Sequence, residues 1–122
     1  MSILLLITVA PTSKVMWHAV RLAQSLQDQQ QQVKVFFYQD AVQIANSQMW
    51  QPDDQVSLQQ AWQALNITLP ACVSAALNRG ISDEDNAQRH QLSHANLAQG
   101  FELVGLGVLA DLVTECEKVI QF

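Results

Sequence analysis

Cys72 and Cys116 are the two side chains of this chain with the widest chemical latitude, and their settings differ. Cys72 follows a short apolar run at residues 67–71 and precedes Ser74, Ala75, Ala76 and Leu77, a helix-friendly stretch that ends at Arg79 and the natural left-handed stop Gly80. A sulfur at such a strand-to-helix junction lies near unsatisfied N–H groups and the positive end of a helix dipole, which favours a nucleophilic sulfur. The competing reading is a packed structural cysteine, because Cys is among the residues most often buried. Spacing alone does not separate the two. Cys116 stands between Glu115 and Glu117 ahead of the last strand, and flanking carboxylates oppose formation of a nucleophilic anion there. It reads as structural. With no CxxC pair, the two thiols are too sparse for a disulfide scaffold, and a Cys72–Cys116 bridge is a poor default in a reducing compartment.

Other constellations carry less. His90 and His94 are four apart, as two metal ligands on one helix face would be. They lack the HExxH glutamate and any nearby downstream carboxylate or thiol, so they read as solvated histidines. His18 lies opposite the apolar stripe of the first helix without a partner. No metal and no cofactor are assigned. Gly105-Leu106-Gly107-Val108-Leu109-Ala110 matches GxGxxA, but no second strand with a ribose-holding acid follows it, and the glycines read as a tight strand-to-helix turn. There is no GxxxxGK[ST] motif. Asp83, Glu84 and Asp85 read as a capped, solvated helix start. No acids follow the first strand, where a phosphoacceptor site would need them. Of the three tryptophans, Trp62 fits a core stripe, while Trp17 and Trp50 sit at less periodic places that suit a subunit interface or loop packing.

The elements that position Cys72 alternate between strand and helix. Residues 3–9 form an apolar, β-rich run broken at Pro11, with Thr12 or Ser13 as helix cap. Val15, Ala19, Leu22 and Leu26 then fall on one helical face, and glutamines 29–32 mark the polar exit. Residues 33–38 make a second strand whose unbroken Val35-Phe36-Phe37 suggests burial on both faces, as in a helix-covered parallel sheet. A short helix is expected over 40–46 and a loop from 47 ending in the capping acids Asp53 and Asp54. Leu58, Ala61, Trp62 and Leu65 then give a helical stripe. After the 67–71 strand and the Cys72 helix, residues 86–99 are polar and read as a helix and a loop. Strand 101–104, a turn at 105–107, a helix to about 114 and a strand at 119–122 complete the chain. The expected fold is a single α/β domain over residues 1–122, a doubly wound, mainly parallel sheet of about five strands with helices on both faces. Its binding crevice should lie at the carboxyl ends of the strands.

Composition sets the limits. The 122 residues are 49% apolar and 14% charged, enough for one core and too little charge for a disordered tail. Six basic against eleven acidic residues give a net charge of −5 with the cations scattered, which argues against gripping a phosphate backbone directly. The first apolar run is far short of the ~20 residues that span a bilayer, and no basic residue precedes it as in a secretory signal, so a cytoplasmic location is expected.

The segment from Cys72 through Ser74-Ala75-Ala76-Leu77 to Arg79-Gly80 resembles the active-cysteine region of the TusD and DsrE group of sulfurtransferase subunits. Val35-Phe36-Phe37-Tyr38 with Asp40-Ala41-Val42, Ala61-Trp62 with Leu65-Asn66, Asn96-Leu97 to Gly100-Phe101, Gly105-Leu106-Gly107 and Val119-Ile120-Gln121-Phe122 resemble the group in order and spacing, so the likeness covers nearly the whole chain. It implies a sulfur relay in which Cys72 accepts a sulfane sulfur as a persulfide and passes it to another protein's cysteine, ending in the 2-thiouridine of tRNA. It further implies TusB-like and TusC-like companion subunits in a heterohexamer, a TusA-like donor and a TusE-like acceptor, with no organic cofactor or metal. A DsrE-like role in sulfur oxidation and a non-catalytic scaffold subunit are the alternatives.

Overall fold

A computed structural model describes residues 1–122. Its strands are β1 (Ser2–Ile7), β2 (Gln32–Phe37), β3 (Leu69–Cys72), β4 (Phe101–Val104) and β5 (Lys118–Gln121). They form one sheet in the order β4-β3-β2-β1-β5, every neighbouring pair parallel. Parallel neighbours need crossovers, and helices supply them. α1 (Lys14–Asp28) joins β1 to β2, a 3-10 helix (Gln39–Ala45) and α2 (Leu58–Gln63) join β2 to β3, α3 (Val73–Asn78) and α4 (Glu84–Arg89) join β3 to β4, and α5 (Leu106–Glu115) joins β4 to β5. The first three connections step one strand over in the same direction, whereas α5 runs back past β3, β2 and β1. Right-handed crossovers therefore place α5 on the opposite face from the helices of the earlier connections. The α/β parallel sheet expected from the sequence is the fold observed.

The central strands are apolar because water reaches neither of their faces. Leu4, Leu5 and Ile7 in β1 and Val35, Phe36 and Phe37 in β2 are all buried. Parallel partners share a face, so Phe37, Ala71 and Leu103 line up across three strands, and the next residues, Cys72 and Val104, point the other way. Trp62 of α2 closes the first of these faces. Its ring meets Phe37 edge-on, with centroids 5.1 Å apart and planes at 88°, and Phe37 in turn meets Phe101 at 5.7 Å.

Two local expectations are corrected. The buried face of α1 runs through Met16, Ala19, Val20 and Ala23, one residue out of phase with the predicted stripe, leaving Val15 39% exposed and Leu22 and Leu26 half-buried. Alanines on that face let the helix approach the sheet closely, and Met16 fills the remaining gap. Ser13 is the cap, accepting a hydrogen bond from the Val15 N–H at 3.2 Å. The second correction concerns α2, whose cap is Ser57 rather than Asp53 or Asp54; its hydroxyl accepts from the Gln60 N–H.

A buried asparagine ties the loops near the carboxyl ends of β2 and β3. Asn96 accepts from the Ser82 N–H at 2.9 Å and donates to the Gly80 carbonyl at 3.0 Å and to Asn46 at 3.3 Å. Truncation to alanine strands the buried Ser82 N–H and removes two partly buried contacts, so Asn96→Ala is expected to cost about 2 kcal/mol. Urea unfolding reads this directly, and a loss below about 1 kcal/mol would show that water replaces the side chain without penalty.

Candidate functional site

Cys72 closes β3 and caps α3, with φ −62° and ψ 122°, so the strand-to-helix junction expected from the sequence is where it stands. No side chain caps α3, and the helix is only six residues long, which leaves its first N–H groups near the Cys72 backbone. Of the two settings the sequence left open for this thiol, the isolated chain shows the packed one. Cys72 keeps only 3% of its surface, so in the isolated chain its sulfur is covered.

The strand neighbour on this side is Val104. It is the in-register partner of Cys72 on the neighbouring strand, and side chains so placed stand about 5 Å apart on one face. Beyond this pair lies an open cleft of about 590 Å³ between α3, α4 and the end of β4. Val73 and Ser74 flank it on the β3 side, Leu103, Val104 and Gly105 on the β4 side, with Arg89 among its polar lining. Cys72 itself is not among the residues that line this cleft. Val104→Ala removes two methyl groups from the strand beside Cys72 and is expected to speed alkylation of the native thiol about fivefold, by easing the local opening that exposes the sulfur. An unchanged rate would place the barrier elsewhere.

The neighbouring strand end is held in an uncommon conformation. Gln39, two residues past Phe37, has φ +53°, which turns the chain sharply from β2 into the 3-10 helix. A non-glycine residue there stores strain that the surroundings must offset. The next residue carries an exposed ion pair. Asp40 Oδ1 accepts from Arg79 Nη2 at 2.9 Å and from Nε at 3.0 Å, while Arg79 Nη1 donates to the Ala75 carbonyl at 3.0 Å. The pair ties the exit of β2 to the far end of α3. Arg79 therefore acts as a clamp on the cysteine helix, a role its distance along the chain from Asp40 concealed in the sequence.

The remaining sequence candidates are not brought to Cys72 as a set. α4 stops at Arg89, so His90 is its C-cap and lines the cleft, whereas His94 lies in the following loop against the Ser93 hydroxyl at 2.9 Å. They do not share a helix face. Asp83 caps α4 by accepting from the Asn86 N–H at 2.9 Å, as its sequence setting suggested. Cys116 is half-buried at the end of α5, and neither cysteine is in a disulfide. Gly105 caps α5, so the GxGxxA run is a strand-to-helix turn. Trp62 is fully buried, Trp17 is half-buried beneath the Arg21 guanidinium, and Trp50 is 83% exposed on the loop before α2. No group of three His, Cys, Asp or Glu side chains is clustered to hold a metal ion. No helix is long and apolar enough to cross a membrane.

The family model described as DsrE/DsrF-like matches residues 1–122. The chain is 47% identical over 92 residues to Sulfurtransferase TusD of Enterobacter sp. (strain 638), covering 72% of each protein. It is 44% identical over 93 residues to the Sulfurtransferase TusD homolog of Aliivibrio fischeri, covering 73% of this chain and 72% of that one. Among solved structures, that of the ychN protein from E. coli superposes with a TM-score of 0.79 at 24% identity, over 99% of this chain and 98% of that one, a likeness of fold.

Proposed function

The chain belongs to the DsrE/DsrF-like family, and on that premise we propose that it is a sulfurtransferase whose Cys72 carries sulfur as a persulfide between two partner proteins. The observation that carries the reading is the placement of Cys72 at the carboxyl end of β3 beside an open cleft, where a doubly wound sheet holds its chemistry.

The reaction asks for a nucleophilic sulfur and an approach path. The Cys72 thiolate attacks the terminal sulfur of a donor persulfide; a new S–S bond forms to Cys72, the donor's S–S bond breaks, and the donor cysteine leaves as a thiolate. In the second half an acceptor thiolate attacks the terminal sulfur on Cys72 in the same way, and the Cys72 thiolate is regenerated. Sulfur moves with no net gain or loss of electrons, and the exchange calls for no metal or organic cofactor.

The relatives' name supports a relay rather than an isolated enzyme. The companions in this reading are TusB-like and TusC-like subunits in a heterohexamer, with a TusA-like donor and a TusE-like acceptor in the cytoplasm. The pathway ends in tRNA 2-thiouridine. Such assembly fits α5, which has no buried residue although it is mostly apolar: Leu106, Val108 and Val113, with Val119 of β5, are exposed. Direct grip on tRNA is not part of the reading, because of the −5 net charge and scattered cations.

The burial of Cys72 favours one rival, a scaffold subunit whose cysteine is only packed. A sulfur chase separates them. Protein exposed to a radiolabelled polysulfide should take up label that a thiol acceptor then removes. Label that never becomes protein-bound, or that binds and cannot be chased, contradicts the carrier reading.

A further inference from the structure

We infer that the free edge of β4 is a docking strand for an extended, cysteine-bearing segment of a partner protein, whose thiol then turns over Gly105 into the cleft next to the β3 end and meets Cys72 when the local structure opens. The inference rests on the proposal that Cys72 exchanges sulfur with a protein thiol, and adds where and how that thiol arrives.

β4 is an outer strand with β3 as its only neighbour. Apart from the ladder to β3, the backbone of Glu102, Leu103 and Val104 makes no hydrogen bond to any loop, helix or side chain. An edge with outward N–H and C=O groups left over is a template for another strand. The second edge, β5, is separated from β3 by β1 and β2, about 14 Å at the usual strand spacing, so it cannot deliver a thiol to Cys72. β4 is next to it. Cys72 and Val104 are in register, and Leu103, Val104 and Gly105 form the cleft wall on that side.

The same geometry defines the segment. A sixth strand outside β4 would lie about 10 Å from β3, a gap that about three extended residues bridge, so the cysteine must fall some two to four residues beyond the last paired residue. The crossing point is open, since nothing lies within 4 Å of where a Cβ on Gly105 would be. Leu103 and Val104 are half-buried on opposite faces and offer apolar contact to two successive side chains of an added strand, one on each face, whereas exposed Glu102 favours a basic or hydroxyl residue across from it. The partner segment is therefore a short β-prone stretch in which a basic or hydroxyl residue is followed by an apolar and then a β-branched one, and closely after them by cysteine.

The test uses the full chain carrying Cys116→Ser, so that one thiol remains, and an acetylated heptapeptide TVKVTGC whose cysteine is activated as the mixed disulfide with thionitrobenzoate. Attack by the Cys72 thiolate forms the Cys72–peptide S–S bond and expels thionitrobenzoate, a better leaving thiolate than the peptide's own, whose colour gives the rate. Pairing on β4 should make capture about tenfold faster than with the truncated peptide TGC activated in the same way. N-methylation of alternate residues should erase the advantage in one phase and leave it in the other, because only alternate N–H groups of a strand face β4. Equal rates for long and short peptides, or equal sensitivity in both phases, overturn the docking strand while leaving the carrier reading in place. Failure of both peptides to react with the folded chain, with reaction on unfolding, overturns both.

Discussion

Cys72→Ser is expected to abolish sulfur loading, leaving less than about 1% of the wild-type label, because a hydroxyl cannot attack a sulfane sulfur at neutral pH or retain it as a persulfide. Cys116→Ser should load normally, since that residue sits half-buried at the end of α5 and does not line the cleft beside the β3 end. The pair makes the result specific to one position rather than to thiol content. Serine is close to cysteine in size, so the Cys72 variant should remain folded, losing about 1–2 kcal/mol because its hydroxyl meets a site where the sulfur made no side-chain hydrogen bond. A denaturation curve separates loss of chemistry from loss of fold. Wild-type loading in Cys72→Ser, measured as protein-bound label after gel filtration, would contradict the assignment.

The second large effect is structural. Trp62→Ala is expected to destabilise the chain by about 4 kcal/mol, a large part of the 5–15 kcal/mol that domains of this size possess. Trp62 is completely buried and wedges edge-on against Phe37, the residue that aligns β2 with Ala71 of β3 immediately before Cys72. Its indole N–H has no hydrogen-bond partner, so its contribution comes from volume and ring contacts and not from a polar tie. Trp62→Phe removes that unpartnered donor along with part of the volume and should cost only about 1–2 kcal/mol. Urea midpoints with unchanged slopes measure both, and a loss under about 1.5 kcal/mol for the alanine variant would show that the core collapses around the gap.

The α/β alternation and the position of Cys72 are legible from residues alone, because they depend on local patterns. Val35-Phe36-Phe37 marks a strand buried on both faces, and Ser74-Ala75-Ala76-Leu77 before Gly80 marks a short helix with a left-handed stop, realised at φ +77°. The α1 phase is not legible, since Val15 and Met16 are both apolar and only close packing of Ala19 and Ala23 on the sheet selects Met16. Nor is the α2 cap: Asp53, Asp54 and Ser57 are all capping types, and the chain reaches helical geometry only after Ser57. The pairing of Cys72 with Val104 depends on the register of β4, 32 residues downstream, and the Asp40–Arg79 clamp spans 39 positions. Local patterns carry no information about either. The four-residue spacing of His90 and His94 has meaning only inside one helix, and α4 ends at Arg89; both are exposed, in keeping with their reading as solvated histidines.

The central claim is that one buried sulfur at the end of β3 receives and releases another. It is tested most directly by peptide-level mass measurement on the chain purified together with its natural companions, then charged with a sulfane donor and trapped by alkylation. The peptide holding Cys72 should gain one sulfur and lose it when acceptor thiol is added, while the Cys116 peptide stays unmodified. Sulfur on the Cys116 peptide, or an unmodified Cys72 peptide in a complex that carries sulfur elsewhere, would contradict the account.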